Sequence, residues 1–236
     1  MKIAILTNET KHHAYFVREI KKTYEDLLVI IEKNVYRPKF ETVHAFELER
    51  EKYEQKVWFN GEEILIKKFS DIISVQTVNE EKSINVLKNY KPEILVLFGT
   101  GILKKELISL FPDKILNLHG GDPEYYRGLD SHYWAIYHND FTKLISTIHK
   151  VNESIDDGDI ILQESLSLFP EMNLWELRRL NTEVCVKLAL TTFEMYKMFG
   201  LFISRKQISK GRYYSFMPSE LKETVLNNFD LHIKSL

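Results

Sequence analysis

Residues 94–98 read Ile-Leu-Val-Leu-Phe, an apolar run with no polar interruption, closed by Gly99 and Gly101. A strand that is apolar on both faces has to be covered on both faces, which in globular proteins means a parallel sheet between layers of helices. Similar runs occur at Ile3–Leu6 and Leu27–Ile31. Between these two, "HAYFVREIKKTY" sets Phe16, Val17 and Ile20 at helical spacing. A β-α-β opening of this kind predicts an α/β fold built on a doubly wound, mostly parallel sheet.

The rest of the chain extends that pattern. "KFETVHAFELEREKYEQKVWFNG" reads as an amphipathic or extended helix ending near Gly61, either solvated or facing a substrate. "IISVQTVN" is a strand candidate, and "EEKSINVLKNY" a helix stopped by Pro92. A short helix, "KKELISLF", precedes Pro112, and "KILNLHGG" reads as a strand running into a loop. Further on come a helix at "SHYWAIYHN", strands at "TKLISTIHKV" and "IILQESLSL", and a turn at "NESIDDGD" between them. A long helix, "NLWELRRLNTEVCVKLALTTFEMYKMFG", ends at Gly200. That divides the chain into a main domain over residues 1–200 and a C-terminal extension over 201–236, where "QISKGRYYSF" suggests a hairpin turning near Gly211.

Composition narrows the function classes. A net charge of −2 offers no general attraction to nucleic acid or to an anionic membrane. Cys185 is the only cysteine, so an intramolecular disulfide and a cysteine-rich metal site are both excluded. The opening apolar run is too short for a signal peptide or a membrane span, which predicts a cytoplasmic protein. No G-x-G-x-x-G follows the first strand, where "TNETKHH" stands instead, and neither a P-loop nor a G-x-S-x-G elbow is present.

The informative region is glycine-rich in a glycine-poor chain: six of nine glycines fall between residues 99 and 158. In "NLHGGDPEYYRG", Asn117 and His119 are two apart at the end of a strand candidate, so their side chains project to one face. They emerge where open α/β sheets bind ligands. Asp156, in "SIDDGDI", also stands at a strand end, with Gly158 permitting a tight turn. An amide, an imidazole and a carboxylate converging there suit attack of an amine on an acyl carbon. Asn117 would hydrogen-bond the developing oxyanion. His119 would stabilise it or take a proton, and Asp156 would orient the ring. Singly, each has an ordinary structural reading: a hydrogen-bonding loop histidine, a turn-capping asparagine, a solvated acidic turn. No metal site is expected.

Together, Asn117-Leu-His119, Pro123-Glu-Tyr-Tyr-Arg127-Gly128, Trp134-Ala135-Ile136, Ile148-His149 and Ile155-Asp156-Asp-Gly158-Asp159-Ile160 resemble the folate-dependent formyltransferases over roughly residues 93–165. One extra residue in "PEYYRG" departs from the family spacing. The resemblance implies a Rossmann-like formyltransferase fold, places the catalytic trio on Asn117, His119 and Asp156, and implies 10-formyltetrahydrofolate as co-substrate without a metal. Its pterin would lie against Phe98, Gly99, Thr100, Gly101, Ile102 and Leu103, and against Ile155 and Asp159 in the acidic loop.

Within that family the chain looks most like the sugar N-formyltransferases acting on nucleotide-linked amino sugars such as dTDP-4-amino-4,6-dideoxyglucose, for surface polysaccharide (O-antigen) synthesis. The net charge and the short tail argue against a tRNA acceptor. "TNETKHH" lacks the glycine-rich first turn of the glycinamide ribonucleotide enzymes. Acceptor contacts are expected from Asn8, His12, His13, Gly121, Tyr126 and Arg127, although Arg127 also suits bracing its loop. The resemblance implies a homodimer joined through the tail hairpin. The competing readings are a 10-formyltetrahydrofolate hydrolase, a glycinamide ribonucleotide formyltransferase, and a binding protein without catalysis.

Overall fold

The computed structural model describes residues 1–34 and 37–236. In chain order the elements are β1 (Ile3–Thr7), α1 (Lys11–Thr23), β2 (Leu27–Glu32), α2 (Ala45–Phe59), β3 (Ile72–Val75), α3 (Glu81–Tyr90), β4 (Ile94–Phe98), α4 (Lys105–Leu110) and β5 (Ile115–His119). They continue with β6 (Tyr126–Gly128), α5 (Ser131–Tyr137), β7 (Ile145–Lys150), β8 (Ile160–Ser165), α6 (Leu177–Phe199), β9 (Arg212–Tyr214) and α7 (Ser219–Ile233).

The main sheet has seven strands in the order β3-β2-β1-β4-β5-β7-β8. Strands β1 to β5 pair in parallel, β7 runs antiparallel to β5, and β8 antiparallel to β7. The doubly wound reading is therefore correct. Strand order reverses between β1 and β4, so the loops that follow these two strands open the crevice where such sheets bind ligands.

Alternation along the apolar runs explains why both layers of helices are needed. Ile3, Ile5, Val29, Ile31, Ile94, Val96 and Phe98 pack with Phe16, Val17 and Ile20 of α1 and Leu188, Ala189 and Phe193 of α6. Ala4, Leu6, Ile30, Leu95 and Leu97 point the other way, against Leu87 of α3 and Leu107 of α4. Each fully buried Ile or Leu contributes roughly 1.5–3 kcal/mol, so slipping any central strand by one residue is prohibitive.

Three segments differ from the sequence reading. Helix α2 begins only at Ala45, where His44 and Glu47 form a capping box. Its buried residues Phe46, Glu54, Trp58 and Phe59 do not form a single apolar stripe, because the helix touches both α1 and the segment leading into α6. The long helix is preceded by a separate 3-10 turn over Leu174–Glu176.

The third difference is the tail, which forms no hairpin: β9 pairs in parallel with β6. A lone two-stranded hairpin has little stability in water, and the edge of β6 offers a better partner. The tail then continues into α7, which has no counterpart in the sequence reading. Its Val225, Phe229 and Ile233 repeat at helical spacing and are buried with Tyr133 and Ile136 of α5. No helix among the described residues is long and apolar enough to cross a membrane.

Candidate active site

On β5, Leu116 and Leu118 belong to the core under α1 and α6, so Asn117 and His119 project to the opposite face. The antiparallel register sets His149 of β7 directly opposite Asn117, and Thr147 opposite His119. The loop between β7 and β8 folds back over these residues and delivers Asp156. A Lys105–Glu153 ion pair of 3.1 Å ties that loop to the start of α4.

The carboxylate of Asp156 gathers the site. Asn117 Nδ2 donates to its Oδ1 at 3.2 Å, and the backbone N–H of Gly128 donates to Oδ2 at 2.8 Å. His119 Nδ1 stands 3.6 Å from Oδ2, and His149 Nε2 stands 3.5 Å from Oδ1. Burial by itself would raise this carboxyl, but the two imidazoles and the Gly128 N–H outweigh it and hold Asp156 well below the usual carboxylate range. It is an anion at neutral pH.

Ring tautomers follow from the acceptors. His149 Nδ1 is 2.7 Å from the Lys150 carbonyl, which can only accept, so Nδ1 carries a proton. Its Nε2 lies 3.1 Å from Asn117 Nδ2 and 3.5 Å from Asp156 Oδ1. His119 Nε2 lies 2.9 Å from the Tyr126 carbonyl, while its Nδ1 faces Asp156. Both nitrogens of His119 thus face oxygen atoms, the Tyr126 carbonyl within hydrogen-bond distance and the Asp156 carboxylate slightly beyond it. His119 is 5% exposed and His149 2%, so both rings are fixed by packing as well as by hydrogen bonds.

Backbone geometry holds the Asp156 loop close. Asp156 has φ +49°, a left-handed conformation that few non-glycine residues adopt. A Cβ at Gly158 would collide with the carbonyl of Lys150, so only glycine lets the chain pass there. Arg127, buried, donates from Nε to the Ile155 carbonyl at 2.8 Å, with a second contact from Nη2. It braces the loop.

The other expected residues divide into two groups. Asn8, His12 and His13 meet the loop after β4: Asn8 Nδ2 donates to the Gly99 carbonyl at 2.6 Å. Both histidine Nδ1 atoms lie 2.9 Å from the Thr10 hydroxyl, and the His13 ring stands edge-on to Phe98 with centroids 4.7 Å apart. Gly99 has φ +82°, and a Cβ there would come within 2.5 Å of the His13 ring. Gly101 N–H donates to the buried Glu32 carboxylate at 2.6 Å, and Asn79 Nδ2 holds the Ile102 carbonyl at 3.0 Å. Thr100 is half-buried, Ile102 is 66% exposed, and Leu103 is buried in the core.

Beside His119, Gly121 leaves no room for a side chain, since a Cβ would approach His119 Nε2 within 2.7 Å. Tyr126 is buried and stacks on His138 and Tyr214, and its hydroxyl bonds Asp140 at 3.2 Å. In the acidic loop, Ile155 and Asp159 present carbonyls already bonded to Arg127 and to the Lys150 N–H. Residues that the sequence reading did not assign are His149, Glu32 and Gln207. The Ile-His dipeptide of β7 was visible, but its position opposite Asn117 needs the strand register. Among the described residues, no cluster of three or more His, Cys, Asp or Glu has metal-holding geometry.

Known proteins resemble this chain in sequence and in fold. A methionyl-tRNA formyltransferase of Finegoldia magna is 29% identical over 108 residues, covering 45% of this chain and 34% of the relative. A phosphoribosylglycinamide formyltransferase of Haemophilus influenzae is 32% identical over 127 residues, covering 53% of this chain and 54% of the relative. The chain therefore spans about a third of the first relative and about half of the second. Among solved structures, the formyltransferase PseJ from Anoxybacillus kamchatkensis, in complex with UDP-4,6-dideoxy-4-formamido-L-AltNAc and tetrahydrofolate, superposes with a TM-score of 0.58. It shares the fold at 17% identity, over 91% of this chain and 86% of that one. Residues 1–184 match the formyl transferase family as a whole, and this chain belongs to it.

Proposed function

We propose that the protein transfers a formyl group from 10-formyltetrahydrofolate to the amine of a nucleotide-linked amino dideoxysugar, with dTDP-4-amino-4,6-dideoxyglucose as the first acceptor to test. The observation that carries the reaction type is the convergence of Asn117 Nδ2 and His119 Nδ1, at 3.2 and 3.6 Å, on one buried carboxylate. Asn117 donates to one oxygen of that carboxylate and the His119 ring faces the other, so an amide and an imidazole border one anionic group, the two residue types an acyl oxyanion calls for.

In this mechanism the neutral amine attacks the formyl carbon and a C–N bond forms. The carbonyl oxygen becomes an oxyanion that accepts from the Asn117 amide and the His119 imidazolium. Asp156, 3.6 Å from His119 Nδ1, orients the ring. The ammonium proton passes to N10 of the folate, the bond from the formyl carbon to N10 breaks, and tetrahydrofolate leaves. Donor binding falls to the loop Phe98–Leu103, which Asn8 and Glu32 hold in shape through the Gly99 carbonyl and the Gly101 N–H.

The sugar-nucleotide acceptor is supported by the shared fold with PseJ, whose complex holds a nucleotide sugar and tetrahydrofolate. A net charge of −2 argues against tRNA, whose phosphates demand a basic surface. The same reading makes the protein a cytoplasmic homodimer serving surface polysaccharide synthesis, with 1–200 as catalytic domain and 201–236 as a dimer-contacting extension. The exposed Met198, Phe199, Leu201 and Ile203 at that junction favour such a contact; light scattering tests it.

The deciding experiment is a formyl-transfer assay with 10-formyltetrahydrofolate and a panel of nucleotide-linked 3-amino and 4-amino dideoxysugars. Turnover that depends on a nucleotide-linked acceptor is expected. Formate release without an amine would make the protein a hydrolase, and preference for glycinamide ribonucleotide would replace the acceptor class.

A further inference from the structure

The segment that follows α6 is stitched along the loops that hold His119 and Asp156. Arg205 and Ile160 exchange both backbone hydrogen bonds at 2.8 Å. The Arg205 guanidinium grips the buried Glu124 carboxylate with two bonds of 2.8 Å, and the Ile208 N–H donates to the same group at 2.6 Å. Ser209 Oγ donates to the Glu124 carbonyl at 2.9 Å, and the Gly211 N–H to the Pro123 carbonyl at 3.2 Å. Beyond them β9 pairs with β6, the strand whose Tyr126 carbonyl accepts from His119 and whose Gly128 N–H donates to Asp156.

In the middle of this strip stands Gln207. Its Nε2 donates to the carbonyl of Asp156 at 2.9 Å and to that of Gly158 at 3.0 Å. Its own Oε1 is buried and has no partner among the described residues, so the amide is oriented by the loop and not by its own acceptor. Asp156 sits at φ +49°, a conformation that a non-glycine residue keeps only where its surroundings over-determine it. Arg127 fixes the carbonyl before Asp156, and Gln207 fixes Asp156's own and the one two residues on.

We propose that Gln207 is a positioning residue for the Asp156–His119–Asn117 constellation, and that residues 205–214 form a strap setting the geometry of the reacting site. The kinetic part of this proposal rests on the formyl-transfer reading; the geometric part does not. Gln207 touches no reacting atom. It acts by holding the backbone of the loop that carries the Asp156 carboxylate, where a displacement near 1 Å costs on the order of 100-fold in rate.

The test uses the full chain with Gln207→Glu, which keeps the size and removes both N–H donors, and Gln207→Met, which removes them without adding charge. Both are expected to lower kcat by about 10-fold or more, with each KM within about twofold. In imidazole NMR spectra recorded without substrate, the His119 and His149 signals shift, whereas that of His232, stacked on Phe141 in α7, stays in place. Wild-type kcat in Gln207→Met, or a loss of kcat with unmoved His119 and His149 signals, would overturn the positioning role. Shifted signals in a protein with no formyl-transfer activity would support the positioning role and count against the functional reading alone.

Discussion

Asn117 and His149 face each other across the antiparallel β5–β7 pair, with Asn117 Nδ2 and His149 Nε2 3.1 Å apart beside Asp156. This contact aims the amide: Asn117 Nδ2 is held between His149 Nε2 and Asp156 Oδ1, to which it donates at 3.2 Å. Asn117→Ala removes the donor itself, and kcat is expected to fall by about 100-fold. His149→Gln leaves the donor but loosens its aim, and a loss of about 10-fold is expected. Steady-state kinetics on both variants checks the order of the two effects; equal losses would assign His149 a direct part in the chemistry.

Glu32 at the end of β2 accepts from the N–H of Val78 at 3.0 Å and of Gly101 at 2.6 Å, joining two loops with one buried carboxylate. Charge-assisted bonds of this kind are each worth about 1.5–3 kcal/mol. Glu32→Gln releases the loop after β4, so KM for the folate donor is expected to rise roughly 10-fold while kcat stays within about twofold. An unchanged donor KM would mean that this loop does not set donor binding.

Buried histidines set the acid limit of stability. Burial, with the nearby Arg178 charge, pushes His13 down to about 3, and burial pushes His132 down to about 4. His12 is lowered as well, first by burial and then by His13. Below the ordinary histidine value of 6.5 the unfolded chain binds protons that the folded chain refuses, so stability falls as the pH drops from about 6.5. Each such group contributes a slope of roughly 1.4 kcal/mol per pH unit. Asp156 adds a loss of the same sign below its ordinary value of 3.8. Urea denaturation between about pH 7 and about pH 5 measures the slope, and His132→Gln is expected to flatten it by one histidine's share.

Lys222 of α7 is 2% exposed; its Nζ donates to the Thr42 carbonyl at 2.5 Å and to Glu47 Oε2 at 2.9 Å. Lys222→Met takes one of two cations from Glu47, which keeps Arg50 at 3.1 Å, and it leaves the Thr42 carbonyl without its donor; a loss of about 1–3 kcal/mol in unfolding free energy is expected. Adding Glu47→Leu is expected to cost more than the single change, because that carboxylate also caps α2 and pairs with Arg50. Urea titrations of the three proteins decide the point.

The central sheet, and the shared face of Asn117 and His119, are legible in the sequence for local reasons. Apolar runs at 3–6, 27–31 and 94–98 have no alternative to a doubly covered strand, and Asn117 and His119 share a face because strand side chains alternate. His149 escapes because facing Asn117 depends on the register of an antiparallel pair separated by some thirty residues of chain. The tail escapes for a related reason. "RYYSF" pairs with whatever free edge it meets, and that edge, β6, belongs to the loop that closes over His119.

The sequence by itself determined the layers of the fold and which polar side chains share a face at the end of β5, because periodicity and residue type act within a few residues. Tertiary structure decided how those side chains are aimed. Asp156 meets Asn117 and His119 only because its loop is pinned in a left-handed conformation by Arg127 and Gln207, from segments distant in the chain. Hydrogen bonds between remote backbone groups leave no periodic mark on a sequence, and they set the distances on which an acyl-transfer site depends.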